Sequence, residues 1–120
     1  MDLGLRNRVA LITGGSRGIG LAAALALARE GCRVLISARG EAGLADAANV
    51  IRAAGGLVAT VVADMMVKAT PMLLVAEALA AFGKLDIVVA NAGGTVGSRD
   101  LADSTSDEWA QTFQLNVLHA

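Results

Sequence analysis

The sequence predicts an α/β protein built around a parallel sheet. Four short apolar runs, Val9–Thr13, Val34–Ser37, Leu57–Ala63 and Leu85–Ala90, are nearly continuous in apolar character, the pattern of strands covered on both faces. Ala-rich segments of helical spacing lie between them, and strand starts near residues 8, 33, 57 and 85 recur every 24 to 28 residues. Strands alternating with helices imply right-handed crossovers, and therefore parallel neighbours with helices packed on the faces. At 120 residues the chain fits a single domain, residues 1–120, with enough length to bury a core.

Each element has a local reason. The first strand runs directly into Thr13-Gly14-Gly15-Ser16-Arg17-Gly18-Ile19-Gly20, which opens the first helix. In the second helical segment Leu44, Ala47, Ala48 and Ile51 share one face, while Glu41, Asp46, Asn49 and Arg52 fall elsewhere. Gly31, Gly55 and Gly83 follow the first three helical segments, where a left-handed residue ends a helix. Thr70–Pro71 offers an N-cap with proline at the first helical position. A start near Val67, strained at Pro71, is the alternative; the later start is preferred. Gly93–Asp103 is the longest loop, and a last helix begins near Thr105, where Thr105 and Glu108 form a capping box.

Composition excludes several classes. Hydrophobic residues make up 55% and charged residues 18%, too apolar for a disordered chain. Ten Lys plus Arg against eleven Asp plus Glu leave no basic stripe, so nucleic acid is not an expected partner. The single Cys32 can form no internal disulfide and has no companions for a metal site. It stands at a strand entrance, a packing position before a nucleophilic one. No apolar stretch approaches a membrane span, and Val9–Thr13 is too short for a signal-peptide core. The expected setting is cytoplasmic.

The chemistry concentrates in Thr13–Gly20. A strand, a glycine loop spaced G-x-x-x-G-x-G and a helix, in that order, form an anion cradle. Gly14 allows the tight turn off the strand, Gly18 admits a pyrophosphate close to the backbone, and Gly20 lets the helix pack near the strand. The free amides at the helix start, with Ser16, Arg17 and Ile19 beside them, face the anion. Arg39 stands just past the second strand, where a carboxylate would bond ribose hydroxyls; Ala38 holds that position instead. Arg17 and Arg39 together suit a 2′-phosphate, which a guanidinium grips bidentately. Read without further context, Arg39 has a plainer alternative as a solvated residue after a strand. Asp64 and Asn91 are equally turn formers that bond their own backbone.

The segment Thr13–Gly20 resembles the TGxxxGxG loop of the short-chain dehydrogenase/reductase family. Asp64 ending the third strand, Asn91-Ala92-Gly93 ending the fourth, and Asn116 in the last helix follow in the family's order, across nearly the whole chain. The resemblance implies a Rossmann-like, doubly wound three-layer αβα fold with strand order 3-2-1-4. It places Asp64 and Met65 by the adenine, and Asn91, Ala92 and Gly93 at the cofactor's border. It also makes Asn116 a catalytic residue that orders a proton-relaying water. The family's doubled asparagine is Ala90–Asn91 here. Its catalytic Ser and Tyr-x-x-x-Lys pair have no counterpart: the chain contains no tyrosine, and Lys68 and Lys84 precede Asn116.

By resemblance, then, the chain is the cofactor-binding half of an oxidoreductase that uses NADP(H) in preference to NAD(H), acts on a small carbonyl or alcohol, and needs no metal. The expected form is a fragment or truncated product, inactive alone, from an enzyme that is a homo-oligomer at full length. The apolar fourth strand, left at the sheet edge, predicts self-association of this chain. A non-enzymatic NAD(P)-binding or partner-binding module is the alternative, and a product without a stable fold is a third. Ser98, Arg99 and His119 receive no role.

Overall fold

The computed structural model describes residues 3–91. Within them β1 (Val9–Thr13), α1 (Gly18–Arg29), β2 (Arg33–Ala38), α2 (Glu41–Ala53), β3 (Leu57–Val62), α3 (Thr70–Phe82) and β4 (Ile87–Val89) alternate without exception. All strand pairs are parallel, in the order β3-β2-β1-β4, as the sequence predicts. Ala92, Gly93, the loop to Asp103, the capping box at Thr105, Asn116 and His119 lie outside the described residues.

Continuous apolarity in β1 and β2 has a simple cause: alternate residues serve two separate cores. Ala10, Ile12, Val34 and Ile36 point to one face, where Ala24 and Ala28 of α1 and Leu44, Ala47 and Ile51 of α2 cover them. Leu11 and Leu35 point to the other, against Leu74 and Ala78 of α3. Three layers result. Alanine at the helix contacts keeps the helix axes close to the sheet, so a core with few rings still excludes water. Cys32 belongs to the first core and donates its thiol to the Leu5 carbonyl at 3.3 Å. Burial first, then the charges of Glu30 and Asp86, push that thiol above its ordinary value, which disfavours the thiolate.

Three expectations change in the structure. β3 and β4 are not covered on both faces: Leu57 is 64% exposed and Val88 58%. Both strands stand at the ends of the sheet, each with one neighbour among the described residues. Strand limits also shift, with β2 longer, β3 one residue shorter, and β4 reduced to three residues. Thr70 is not the N-cap of α3 but its first residue, behind Ala69. Its hydroxyl instead donates to the Asp64 carbonyl at 2.7 Å, because the turn Asp64–Val67 brings that carbonyl within reach. The three helix-ending glycines behave as expected, with φ of 91° at Gly31, 86° at Gly55 and 80° at Gly83.

An acid not singled out in the sequence aligns β4. Asp86 donates its backbone N–H to the Val9 carbonyl, and its Oδ2 accepts the Val9 N–H, both at 2.9 Å. Arg8 at 3.5 Å and Lys84 at 3.2 Å flank the same carboxylate. The Val9 N–H, then Lys84 and Arg8, hold this carboxyl below its ordinary value of 3.8 against the opposing effect of burial.

A depressed folded-state pKa adds stability above the ordinary value, lost as pH falls through the folded one. Asp86→Asn therefore lowers Tm at neutral pH, and the gap to wild type narrows as pH falls below 3.8; a gap that does not change between neutral and strongly acidic pH excludes this origin. The glycine loop gives a second test. A Cβ on Gly15 would lie 2.7 Å from the Ile36 Cβ, whereas one on Gly40 would meet nothing within 4 Å. Gly15→Ala is expected to cost about 1–3 kcal/mol in urea denaturation and Gly40→Ala almost nothing.

Candidate functional site

Parallel strands end their carboxyl termini on one side, and the loops leaving β1, β2, β3 and β4 meet there. They enclose an open cavity of about 960 Å³. A crevice at the strands' carboxyl ends, where crossovers diverge to opposite faces, is where open α/β sheets take ligands.

The β1 loop forms its floor. Gly14 leaves the strand at φ 65°, a turn an L-residue with a Cβ resists, and the Gly15 N–H donates to the Ser37 carbonyl at 3.1 Å. Gly15 was not among the expected site residues; its role is to let the loop lie against Ile36. Gly18, at φ 58°, has nothing within 4 Å of where a Cβ would stand, so its backbone is open to the cavity. At Gly20 a Cβ would collide with the Gly14 carbonyl, just past the end of β1, and with the Asn91 side chain.

Helix α1 begins inside this cavity with a bare end. Arg17 at its N-cap is extended, with φ −161° and ψ 172°, and no side chain bonds the first amides; no acid stands in the first turn. The start of α2 has Gly40 as an N-cap that provides no side-chain oxygen, with Glu41 in its first turn. Two helix amino ends without a side-chain cap thus border one space, and each contributes partial positive charge, offset at α2 by Glu41.

Of the expected site residues, Gly14, Ser16, Arg17, Gly18, Ile19, Arg39, Asp64, Met65 and Asn91 all line the cavity. Gly20 sits just behind it, buried. Ile19 is 80% exposed, a large apolar side chain held out at the mouth. Asn91 joins β4 to β1: its N–H donates to the Thr13 hydroxyl at 3.0 Å and its Nδ2 to the Gly14 carbonyl at 3.2 Å. Asp64 is the turn former its bare sequence context suggests, accepting the Met66 N–H at 2.9 Å, and it borders the cavity as well.

Ser37, Ala38, Gly40, Gly43, Asp46 and Ala63 also line the space. Asp46 is the instructive omission, since helical spacing assigns it to the polar side of α2. Gly43, three residues earlier, stands against Ser16, and Asp46 shares that face. Among the described residues no group of three or more His, Cys, Asp or Glu could hold a metal. No described helix is long and apolar enough to cross a membrane.

Comparison with known proteins agrees with this geometry. A family model described as short chain dehydrogenase matches residues 8–119. The uncharacterized oxidoreductase MT0954 of Mycobacterium tuberculosis is 48% identical over 113 residues, which cover 94% of this chain and 43% of that protein. L-sorbose reductase from Gluconobacter frateurii, solved with NADPH and L-sorbose, superposes with a TM-score of 0.89 at 32% identity, covering 99% of this chain and 45% of that one. A short chain dehydrogenase/reductase from Burkholderia phymatum, solved with NAD, gives 0.86 at 35% identity, over 96% and 41%. The chain spans less than half the length of these relatives. A match from Arg8 to His119, in a chain with the fold of known reductases, decides the family: this protein belongs to the short-chain dehydrogenases, with their Rossmann-like sheet.

Proposed function

We propose that residues 1–120 are the dinucleotide-binding portion of an NADP(H)-dependent oxidoreductase that interconverts a small carbonyl compound and its alcohol. The observation that carries the reading is the cavity itself. Two helix amino ends without side-chain caps and two guanidiniums, Arg17 and Arg39, border one crevice at the carboxyl ends of the strands. The space suits an extended anionic ligand of nucleotide size, and the open backbone at Gly18 suits a pyrophosphate.

In this reading Gly14, Ser16, Gly18, Ile19 and Gly20 form the pyrophosphate cradle, the amides of α1 acting as fixed donors. Ile19, projecting from the first turn, holds water away from the cofactor's reactive end. Asp64 and Met65 border the adenine, and Asn91, Ala92 and Gly93 the opposite side; Ala92 and Gly93 belong to this proposal through family membership. Arg17 and Arg39 flank the adenosine ribose, with Ala38 leaving the place of a ribose-binding carboxylate empty. The nicotinamide, when bound, supplies or accepts the hydride. Asn116 holds a water for proton transfer, again by family membership. The tyrosine acid that the family pairs with lysine is not among these 120 residues.

Cofactor choice follows from charge. Hydrogen bonds to charged groups contribute about 1.5–3 kcal/mol each, less where solvent screens them. NADPH is therefore expected to bind at least about tenfold more tightly than NADH, since ~1.4 kcal/mol is tenfold. Arg39→Ala removes most of that gap and leaves NADH affinity nearly unchanged. Ala38→Asp reverses the preference, by repelling the phosphate and offering the ribose hydroxyls an acceptor. Fluorescence titration of both nucleotides checks all three, and an Arg39→Ala loss equal for both cofactors excludes the 2′-phosphate assignment.

Turnover gives the second test. General acid catalysis supplies about 10²–10⁴-fold, so the 120-residue chain is expected to bind NADPH yet reduce no carbonyl above background. Turnover by the purified chain would place the acid on a residue other than a tyrosine.

A further inference from the structure

We infer that Asp46 sets how strongly this cavity discriminates between dinucleotides with and without a 2′-phosphate, by opposing the phosphate charge from the α2 wall. The inference rests on the nucleotide reading above and adds a residue to it.

Asp46 lines the same space as Arg17 and Arg39. Its position follows from the packing of α2 on the glycine loop. A Cβ on Gly43 would lie 3.6 Å from the Ser16 Cβ and 3.7 Å from its Oγ, so the first turn of α2 abuts the residue before Arg17. Asp46, three residues on, stands one turn further along that face, about 4.5 Å along the helix axis. The ion pairs among the described residues are Arg8–Asp86 and Lys84–Asp86. Asp46, Arg17 and Arg39 therefore share a cavity without an ion pair to one another.

A carboxylate so placed acts differently on the two ligands. Against a phosphate that carries up to two negative charges it is a like charge, and it costs affinity. Against a plain ribose it meets no net charge. Asp46 thus lowers 2′-phosphate affinity while leaving the unphosphorylated ligand nearly untouched. All three side chains are exposed, so the effect is modest and is screened by salt.

Glu77 supplies the internal control. It carries the same charge and is exposed, but stands on α3 and does not line the cavity. The experiment measures Kd for NADPH and for NADH by fluorescence titration at low and at 0.5 M salt, for wild type, Asp46→Asn, Glu77→Gln and Arg39→Ala. Asp46→Asn is expected to raise the NADH/NADPH Kd ratio about threefold at low salt, through NADPH alone, with the rise largely gone at 0.5 M. Glu77→Gln leaves the ratio within error. A ratio unmoved by Asp46→Asn but lowered by Arg39→Ala overturns this inference and keeps the 2′-phosphate reading. Equal changes from Asp46→Asn and Glu77→Gln overturn it as well, by reducing the effect to net charge. A chain that binds neither nucleotide overturns both readings. Asp46 is exposed and makes no core contact, so Asp46→Asn and wild type should give the same Tm, and the comparison is between folded proteins.

Discussion

Asn91 makes two hydrogen bonds on which the arrangement of the cavity depends. Its backbone N–H reaches the Thr13 hydroxyl and its side-chain amide reaches the Gly14 carbonyl. Together they tie the end of β4 to the point where β1 becomes a loop. That point must be held because Gly14, at positive φ, gives the backbone little intrinsic preference for one path. A Cβ on Gly20 would collide with the same Gly14 carbonyl and the same Asn91 amide. The loop, the first turn of α1 and the end of β4 therefore interlock at one place, and the direction of the α1 amides follows from it. Each hydrogen bond of this kind contributes only about 1 kcal/mol net; its importance here is geometric.

The opposite end of the β1–β4 pair is held by Asp86. Its backbone and side chain both bond Val9, so β4 meets β1 in a single register although the strand is only three residues long. A parallel pair this short has few ladder bonds of its own, and a slip would turn its side chains to the wrong faces. Two polar clamps, Asp86 below and Asn91 above, do what strand length cannot. Between them Val9–Thr13 is wholly buried, which makes β1 the fixed axis from which the other loops are positioned.

The charge pattern around the cavity is mixed. Two arginines and two helix amino ends attract an anion, while Asp46 and Asp64 bring carboxylates to the same walls. Asp64 is engaged by the Met66 N–H and shapes the turn after β3, so its charge is partly satisfied locally. Asp46 has no such engagement among the described residues. In the proposed nucleotide reading, such a site attracts phosphate but moderates the attraction, so that discrimination between related ligands would be adjustable at single exposed positions. Exposed charges act through solvent, and their effects are correspondingly small and dependent on salt.

The sequence by itself determined the alternation of strands and helices, the buried face of α2, the glycine ends of the helices and the Thr13–Gly20 cradle. Each of these rests on local rules: hydrophobic periodicity, the left-handed preference of glycine, and the fixed sequence spacing of a strand–loop–helix turn. Tertiary structure alone decided that Gly15 is required by Ile36, that Gly20 is required by Gly14 and Asn91, and that Thr70 bonds Asp64 instead of capping α3. It also decided that Asp86 aligns β4, that β3 is half exposed at the sheet edge, and that Asp46 faces the cavity. Each of these is a contact between segments distant in sequence, or depends on which side of a helix another loop happens to occupy. A one-dimensional pattern records what a residue can do; only the packed chain decides which neighbour it meets.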